Sequence, residues 1–173
     1  MRNVVKSGAL LLSLVLSLVL CSIVGQAAEL PLVQKQRFEL ASFTTQNGAA
    51  LKQVQVGWEA YGKLNADKSN VILITHYFSG TSHAAGRYQA TDAAPGYWDA
   101  IIGPGKAIDT NQFYVISVDT LANANVKDPH VITTGPASIN PATGKRYGLS
   151  FPVVTITDFV EVQGAAWSAR RDV

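Results

Sequence analysis

The clearest periodicity in the chain lies between Gln53 and Tyr61, where Val54, Val56, Trp58 and Ala60 alternate with Gln53, Gln55 and Glu59. A period of two places those sets on opposite faces of a strand. Arg37 to Phe43 alternates more weakly, and Gln46-Asn47-Gly48 lies between the two segments. Asn-Gly favours the positive φ values of a hairpin turn, so an antiparallel opening pair is predicted. Two later runs, Val71-Ile72-Leu73-Ile74 and Phe113-Tyr114-Val115-Ile116, are continuously apolar. Such runs suit parallel strands buried on both faces. Polar residues follow each, Thr75-His76 and Asp119, where the tips of parallel strands meet a binding crevice. Thr155-Ile156-Thr157-Asp158 has capping-box spacing, and Phe159, Val162 and Ala166 behind it share a helical face. A short helical turn is expected around Tyr97 to Ile102.

Between these elements lie residues 77 to 112 and 119 to 154, each about 36 residues rich in Gly, Pro, Asn and Thr, a length at which loops tend to be functional. A parallel sheet also needs helices over both faces, and one good helix is in view. The expected fold class is therefore α/β, an antiparallel opening pair followed by parallel strands in an incomplete sheet. No internal repeat, charge run or linker divides residues 28–173, which read as one domain.

The amino end changes the picture. Ser7 to Ala28 carries no charge and follows Arg2 and Lys6, which is the form of a secretory signal peptide. Its apolar core, Ala9 to Val24, falls short of the roughly 18 to 20 residues of a spanning helix, so no stable membrane span is expected. Gly25-Gln26-Ala27 supplies small residues for cleavage after Ala27, giving a leader over 1–27 and an exported protein of the periplasm or medium. Cys21 follows Leu20, where a lipoprotein needs a small residue, and it leaves with the leader.

The chain has 173 residues, 47% hydrophobic and 15% charged, which excludes a disordered protein. Its formal charge of +2 comes from the leader: without Arg2 and Lys6, 12 basic residues face 12 acidic ones. A neutral surface gives no basic face for nucleic acid. Without cysteine the exported part can hold no disulfide, thiolate metal site or cysteine nucleophile.

The most suggestive chemistry lies in Thr75-His76-Tyr77-Phe78-Ser79-Gly80-Thr81-Ser82-His83-Ala84-Ala85-Gly86. A nucleophile elbow on Ser82 has Gly80 before it, but Ala84 stands where the second Gly belongs, and the strand ends seven residues too early. The better functional reading is a loop that offers a backbone N–H to an oxyanion, shaped by His76 and Gly80; the bland one is a polar loop at a strand tip. Gly103-Pro104-Gly105-Lys106 lacks the opening Gly and the Ser or Thr of a phosphate loop. His76, His83 and His130 follow no zinc pattern. Gly148-Leu149-Ser150-Phe151-Pro152 fails as an elbow at Pro152. Asp109, Asp119 and Asp158 are possible acids, with Asp158 better explained as a helix cap.

Several segments in order resemble the homoserine O-acetyltransferase family of α/β-hydrolases. They are Tyr61-Gly62-Lys63-Leu64-Asn65, Asn70 through His76, Ser79-Gly80, and Ser82 through Gly86. Downstream come Ile102 through Thr110, Thr134 through Pro141, and Phe151-Pro152 through Asp158. The likeness covers about Phe38 to Gln163.

The resemblance implies the amino-terminal part of an α/β-hydrolase fold. It also implies acyl transfer through an acyl-serine, from a donor such as acetyl-CoA to a small hydroxyl acceptor; no cofactor and no metal are expected. His76 through Gly80 matches the family's oxyanion loop, with Phe78 the first choice of N–H donor and Tyr77 the second. In the family's chain order the serine, aspartate and histidine come later than any residue here. The chain is thus expected to be truncated and inactive alone, and to be completed by a carboxy-terminal half or a second copy. The alternatives kept beside this are a non-catalytic module completed by a partner chain and an exported esterase fragment. Leu121 to Ile132, with Ala122-Asn123-Ala124-Asn125, replaces the family's glycine-rich turn, which together with export argues against homoserine as acceptor.

Overall fold

The computed structural model describes residues 30–171. The leader, the cleavage site after Ala27 and Cys21 lie outside the described residues. Strands β1 (Gln36–Thr44) and β2 (Ala50–Tyr61) form the opening hairpin, β3 spans Val71–Ile74, β4 Ile102–Gly103, β5 Ile108–Asp109 and β6 Tyr114–Val118. A 3-10 turn at Gly148–Ser150 and one helix, α1 (Ile156–Arg171), follow.

The main sheet has the order β1-β2-β6-β3: β1 with β2 and β2 with β6 run antiparallel, β6 with β3 parallel. The predicted change from antiparallel to parallel pairing is therefore present. In the hairpin, Thr45 N–H donates to Ala49 O at 2.9 Å and Gly48 N–H to Thr45 O at 2.8 Å. Gly48 sits at φ 83°, a conformation that Gly adopts without steric cost.

β2 begins earlier than the alternation predicts, and its phase slips at Gln53, which lies at φ 51°. Leu51 is buried before the slip and Val54, Val56 and Trp58 after it. The left-handed residue re-aims the strand so that both phases point into one core, and simple alternation cannot foresee that.

Two further expectations need correction. Val71–Ile74 is not buried on both faces, and among the described residues β3 is an edge strand with β6 beside it. Ile74 is buried, while Leu73 is 40% exposed. Phe113 lies outside β6 and is exposed, and the strand runs on to Val118.

Each face of the sheet has its own core. On one, Val162 and Ala166 of α1 pack with Leu51, Val54, Trp58, Ile116 and Val118. On the other, the long segment 77–112 folds back to place Ala84, Ala85 and Ile102 against Tyr61, Ile74 and Val115. Its Trp98 carbonyl accepts from the N–H groups of Ile101 and Ile102, both at 3.0 Å, so the expected helical turn is present as a turn rather than a helix. A loop layer thus covers the face where a helix was sought.

The start of α1 follows its capping sequence. Thr155 N–H and Oγ1 donate to Asp158 Oδ2 at 2.6 and 2.9 Å, and Asp158 N–H donates back to Thr155 Oγ1 at 3.3 Å. The other carboxylate oxygen accepts Gln46 N–H at 2.8 Å. One side chain therefore caps the helix and ties it to the hairpin turn. Among the described residues no helix is long and apolar enough to cross a membrane.

Candidate functional site

The tip of β3 turns sharply. Gly80 N–H donates to Tyr77 O at 2.7 Å, closing a turn over Tyr77-Phe78-Ser79-Gly80 directly after Thr75-His76. Phe78 at the corner is 81% exposed and Tyr77 is also exposed. The backbone N–H of Phe78 donates to no acceptor among the described residues. His76 Nδ1 lies 2.8 Å from Tyr77 O, so Nδ1 carries the proton and donates. Its Nε2 is buried and makes no hydrogen bond among the described residues.

Beside this turn lies a cavity of about 180 Å³. Its polar wall is Thr75, His76, Thr120 and Gln163, and its apolar wall is Phe78 with Ile156, Phe159 and Val160 of α1. The cavity opens at the carboxyl tips of the parallel pair β3 and β6, where open α/β sheets bind ligands. Gln163 Nε2 donates to Val118 O at 3.2 Å, fixing α1 against the tip of β6. All four residues singled out for an oxyanion loop, His76, Tyr77, Phe78 and Gly80, belong to this tip.

Behind the turn stands a buried polar cluster that the sequence reading missed. Glu59 is fully buried. Lys35 Nζ contacts its Oε1 at 2.7 Å, Tyr88 OH donates to Oε1 at 2.5 Å, and Tyr61 OH donates to Oε2 at 2.7 Å. His83 Nδ1 lies 3.1 Å from Oε2. Burial pushes the Glu59 carboxyl up. The His83 hydrogen bond, the Lys35 charge and the bonds from Lys35 and Tyr88 outweigh it and hold the group below its ordinary value. The hydroxyls of Tyr61 and Tyr88 move the opposite way, raised by burial and by the negative charge of Glu59.

Asp119, expected at the crevice, turns into this cluster instead. Its Oδ1 accepts Ser82 N–H at 2.7 Å, its Oδ2 accepts Ile132 N–H at 3.1 Å, and Lys35 Nζ lies 3.6 Å away. Ser82 is fully buried, and its Oγ accepts a hydrogen bond from Lys35. An elbow serine must stand exposed, so Ser82 is no nucleophile. His83, Tyr88 and His130 stack in series with ring centroids 4.2 and 3.8 Å apart, and no metal-binding group of side chains occurs among the described residues.

One signal in the sequence pointed to the cluster: Glu59 is the lone charged residue in Val54 to Tyr61. Its partners, from Lys35 to Asp119, are scattered along the chain and share no motif. Lys106, rejected as a phosphate-loop lysine, pairs with Asp99 at 3.1 Å.

The sheet order, the loop at the tip of β3 and the capped helix define the amino-terminal part of an α/β-hydrolase fold. No protein-family model matches the chain. Its homologues include homoserine O-acetyltransferases and O-succinyltransferases. The homoserine O-acetyltransferase of Methanococcoides burtonii is 47% identical over 121 residues, 70% of this chain and 24% of that protein. The homoserine O-succinyltransferase of Hahella chejuensis is 51% identical over 120 residues, 69% of this chain and 30% of its own length. Among solved structures, esterase E22 aligns at 71% identity and a TM-score of 0.78, over 80% of this chain and 38% of that one. The homoserine O-acetyltransferase from Bacillus anthracis aligns at 54% identity and 0.79, over 81% and 37%. The chain thus spans about a quarter to a third of the length of these curated relatives.

Proposed function

We propose that residues 30–171 form the oxyanion-loop half of an acyl-transfer site of the homoserine O-acyltransferase type. In that reaction a serine hydroxyl gives its proton to the histidine as its oxygen attacks the thioester carbonyl, the carbonyl electrons move onto oxygen, and the tetrahedral centre collapses to an acyl-serine as the thiol leaves with that proton. The acceptor hydroxyl then takes the acyl group by the same steps and frees the serine. The Phe78 N–H, with Tyr77 as second choice, is assigned to the developing oxyanion, and His76 and Gly80 to the shape of the loop. The observation that carries this reading is the exposed Tyr77–Gly80 turn at a strand tip, its Phe78 N–H beside the cavity and without an acceptor among the described residues. Loss of one such donor costs about 10²- to 10³-fold in rate.

The described residues contain no exposed serine paired with a histidine and an aspartate, so the chain by itself is assigned no turnover. Acetyl-CoA with homoserine, followed by release of free thiol, is expected to give no rate above a heat-denatured control. A rate well above that control refutes the assignment. Restored turnover on co-expression with the remaining two-thirds of a homologous acyltransferase supports completion by a carboxy-terminal half.

A second reading, ester hydrolysis by the completed site, is favoured by the 71% identity to a protein described as an esterase. p-Nitrophenyl acetate hydrolysis by the completed enzyme, exceeding transfer to homoserine, decides for it. We also assign residues 1–27 to export. Amino-terminal sequencing of the protein from the periplasm or medium should begin at Ala28, and an intact Met1 there counts against it.

A further inference from the structure

The loop after β6 takes a strained course. Ala122 lies at φ 49°, a conformation that residues with a Cβ rarely adopt, and Ala122 N–H donates to Thr134 O at 2.9 Å. A Cβ on Gly135 would come within 2.8 Å of Ala122 Cα, so close packing holds the bend. The bend carries two asparagine side chains back across the sheet tip to the turn after β3. Asn123, 3% exposed, donates from Nδ2 to Gly80 O at 2.9 Å. Asn125 donates from Nδ2 to Ser79 O at 2.8 Å and lies 3.3 Å from Gly80 O. The two are joined in turn, since Asn125 N–H donates to Asn123 Oδ1 at 2.9 Å.

A carbonyl held by a donor fixes the whole peptide plane to which it belongs. Asn125 fixes the Ser79–Gly80 plane, whose N–H closes the turn onto Tyr77, and Asn123 fixes the plane that follows. We propose that Asn123 and Asn125 are positioning residues that clamp the Tyr77–Gly80 turn, holding the Phe78 N–H in place beside the cavity for a substrate oxyanion. This rests on the oxyanion-loop reading above. It gives the segment that replaces a glycine-rich turn its own role: a brace made by side chains.

Amide exchange measured by NMR on the full chain tests this, with Gly80 N–H as reporter. Asn125→Asp keeps the shape of the side chain and removes its donor. Gly80 exchange is expected to quicken about tenfold, the effect of losing one hydrogen bond, while amides of β2 and β6 keep their rates. Asn125→Gln, which keeps the carboxamide on a longer stem, should recover part of the protection. Asn123→Asp puts a carboxylate into a buried place and can loosen the loop at large, so Asn125→Asp decides. Unchanged Gly80 exchange, or equal acceleration through β2 and β6, overturns the clamp.

Titration with sodium acetate separates the clamp from the site it serves. Acetate is expected to move the Phe78 amide resonance in the wild type and to move it less in Asn125→Asp. An equal shift in both overturns the positioning role. Faster Gly80 exchange in Asn125→Asp, with a wild-type Phe78 resonance that acetate leaves unmoved, upholds the brace and overturns the oxyanion reading instead.

Discussion

A carboxylate sealed from water keeps its charge only where other groups replace the hydration it has lost. Around Glu59 those groups are the Lys35 ammonium, two tyrosine hydroxyls and the His83 ring. Removing the acid leaves buried Lys35 with the Ser82 hydroxyl and, as its one carboxylate, Asp119 at 3.6 Å, so Glu59→Gln is expected to destabilise the protein by about 3 to 5 kcal/mol in urea denaturation at neutral pH. The pH dependence follows from the lowered carboxyl. Its contribution is fully present above the ordinary value of 4.5 and is lost as pH falls through the lower folded-state value. Wild-type stability should therefore decline in acid more steeply than that of Glu59→Gln, and equal slopes would count against a charged Glu59. Gly57 guards the same cluster, since a Cβ there would lie 2.3 Å from Asp119 Oδ2 and 3.0 Å from Lys35 Cδ. Gly57→Ala should cost about 1 to 3 kcal/mol by overpacking, read from the shift of the urea midpoint.

The elements differ in how plainly the chain announces them. The hairpin, the parallel pair and α1 were legible because each rests on neighbours in sequence: Asn47-Gly48, two apolar runs, and Thr155 three residues before Asp158. The phase slip at Gln53 was not, because it answers to the packing of Leu51 rather than to local preference. The segment from His76 to Gly80 was legible as a loop at a strand tip. The clamp on it was not, since Asn125 reaches Ser79 across 46 residues of chain. Alternation placed Glu59 opposite Trp58 correctly, but only tertiary structure reveals that both faces of β2 are covered. Asp158 joins local and distant signals. Asp158→Ala removes the cap and the tie to Gln46 together, and a loss of about 1 to 2 kcal/mol in thermal or urea unfolding is expected. Thr155→Ala, which spares the bond to Gln46, should lose less.

At the scale of the molecule, large apolar side chains stand exposed on β3, in the turn after it and along α1. They are Leu73 of β3, Phe78 after it, and Ile156 and Val160 of α1. Open strand edges and contiguous apolar patches promote association. The described domain is expected to bind a hydrophobic dye and to self-associate as concentration rises in sedimentation velocity. Leu73→Lys should shift it toward monomer without lowering its urea midpoint, and unaltered association in that variant would place the sticky surface elsewhere.

The bond between Gln46 and Asp158 also sets a clock. The two residues stand 112 positions apart, and the core face of β2 is closed by α1, which begins beside Asp158. At about 5 to 20 residues per second of synthesis, the ribosome needs roughly 6 to 22 s to deliver the second partner after the first. For that interval Leu51, Val54 and Trp58 have no helix to lie against, and the nascent hairpin depends on whatever else shields it.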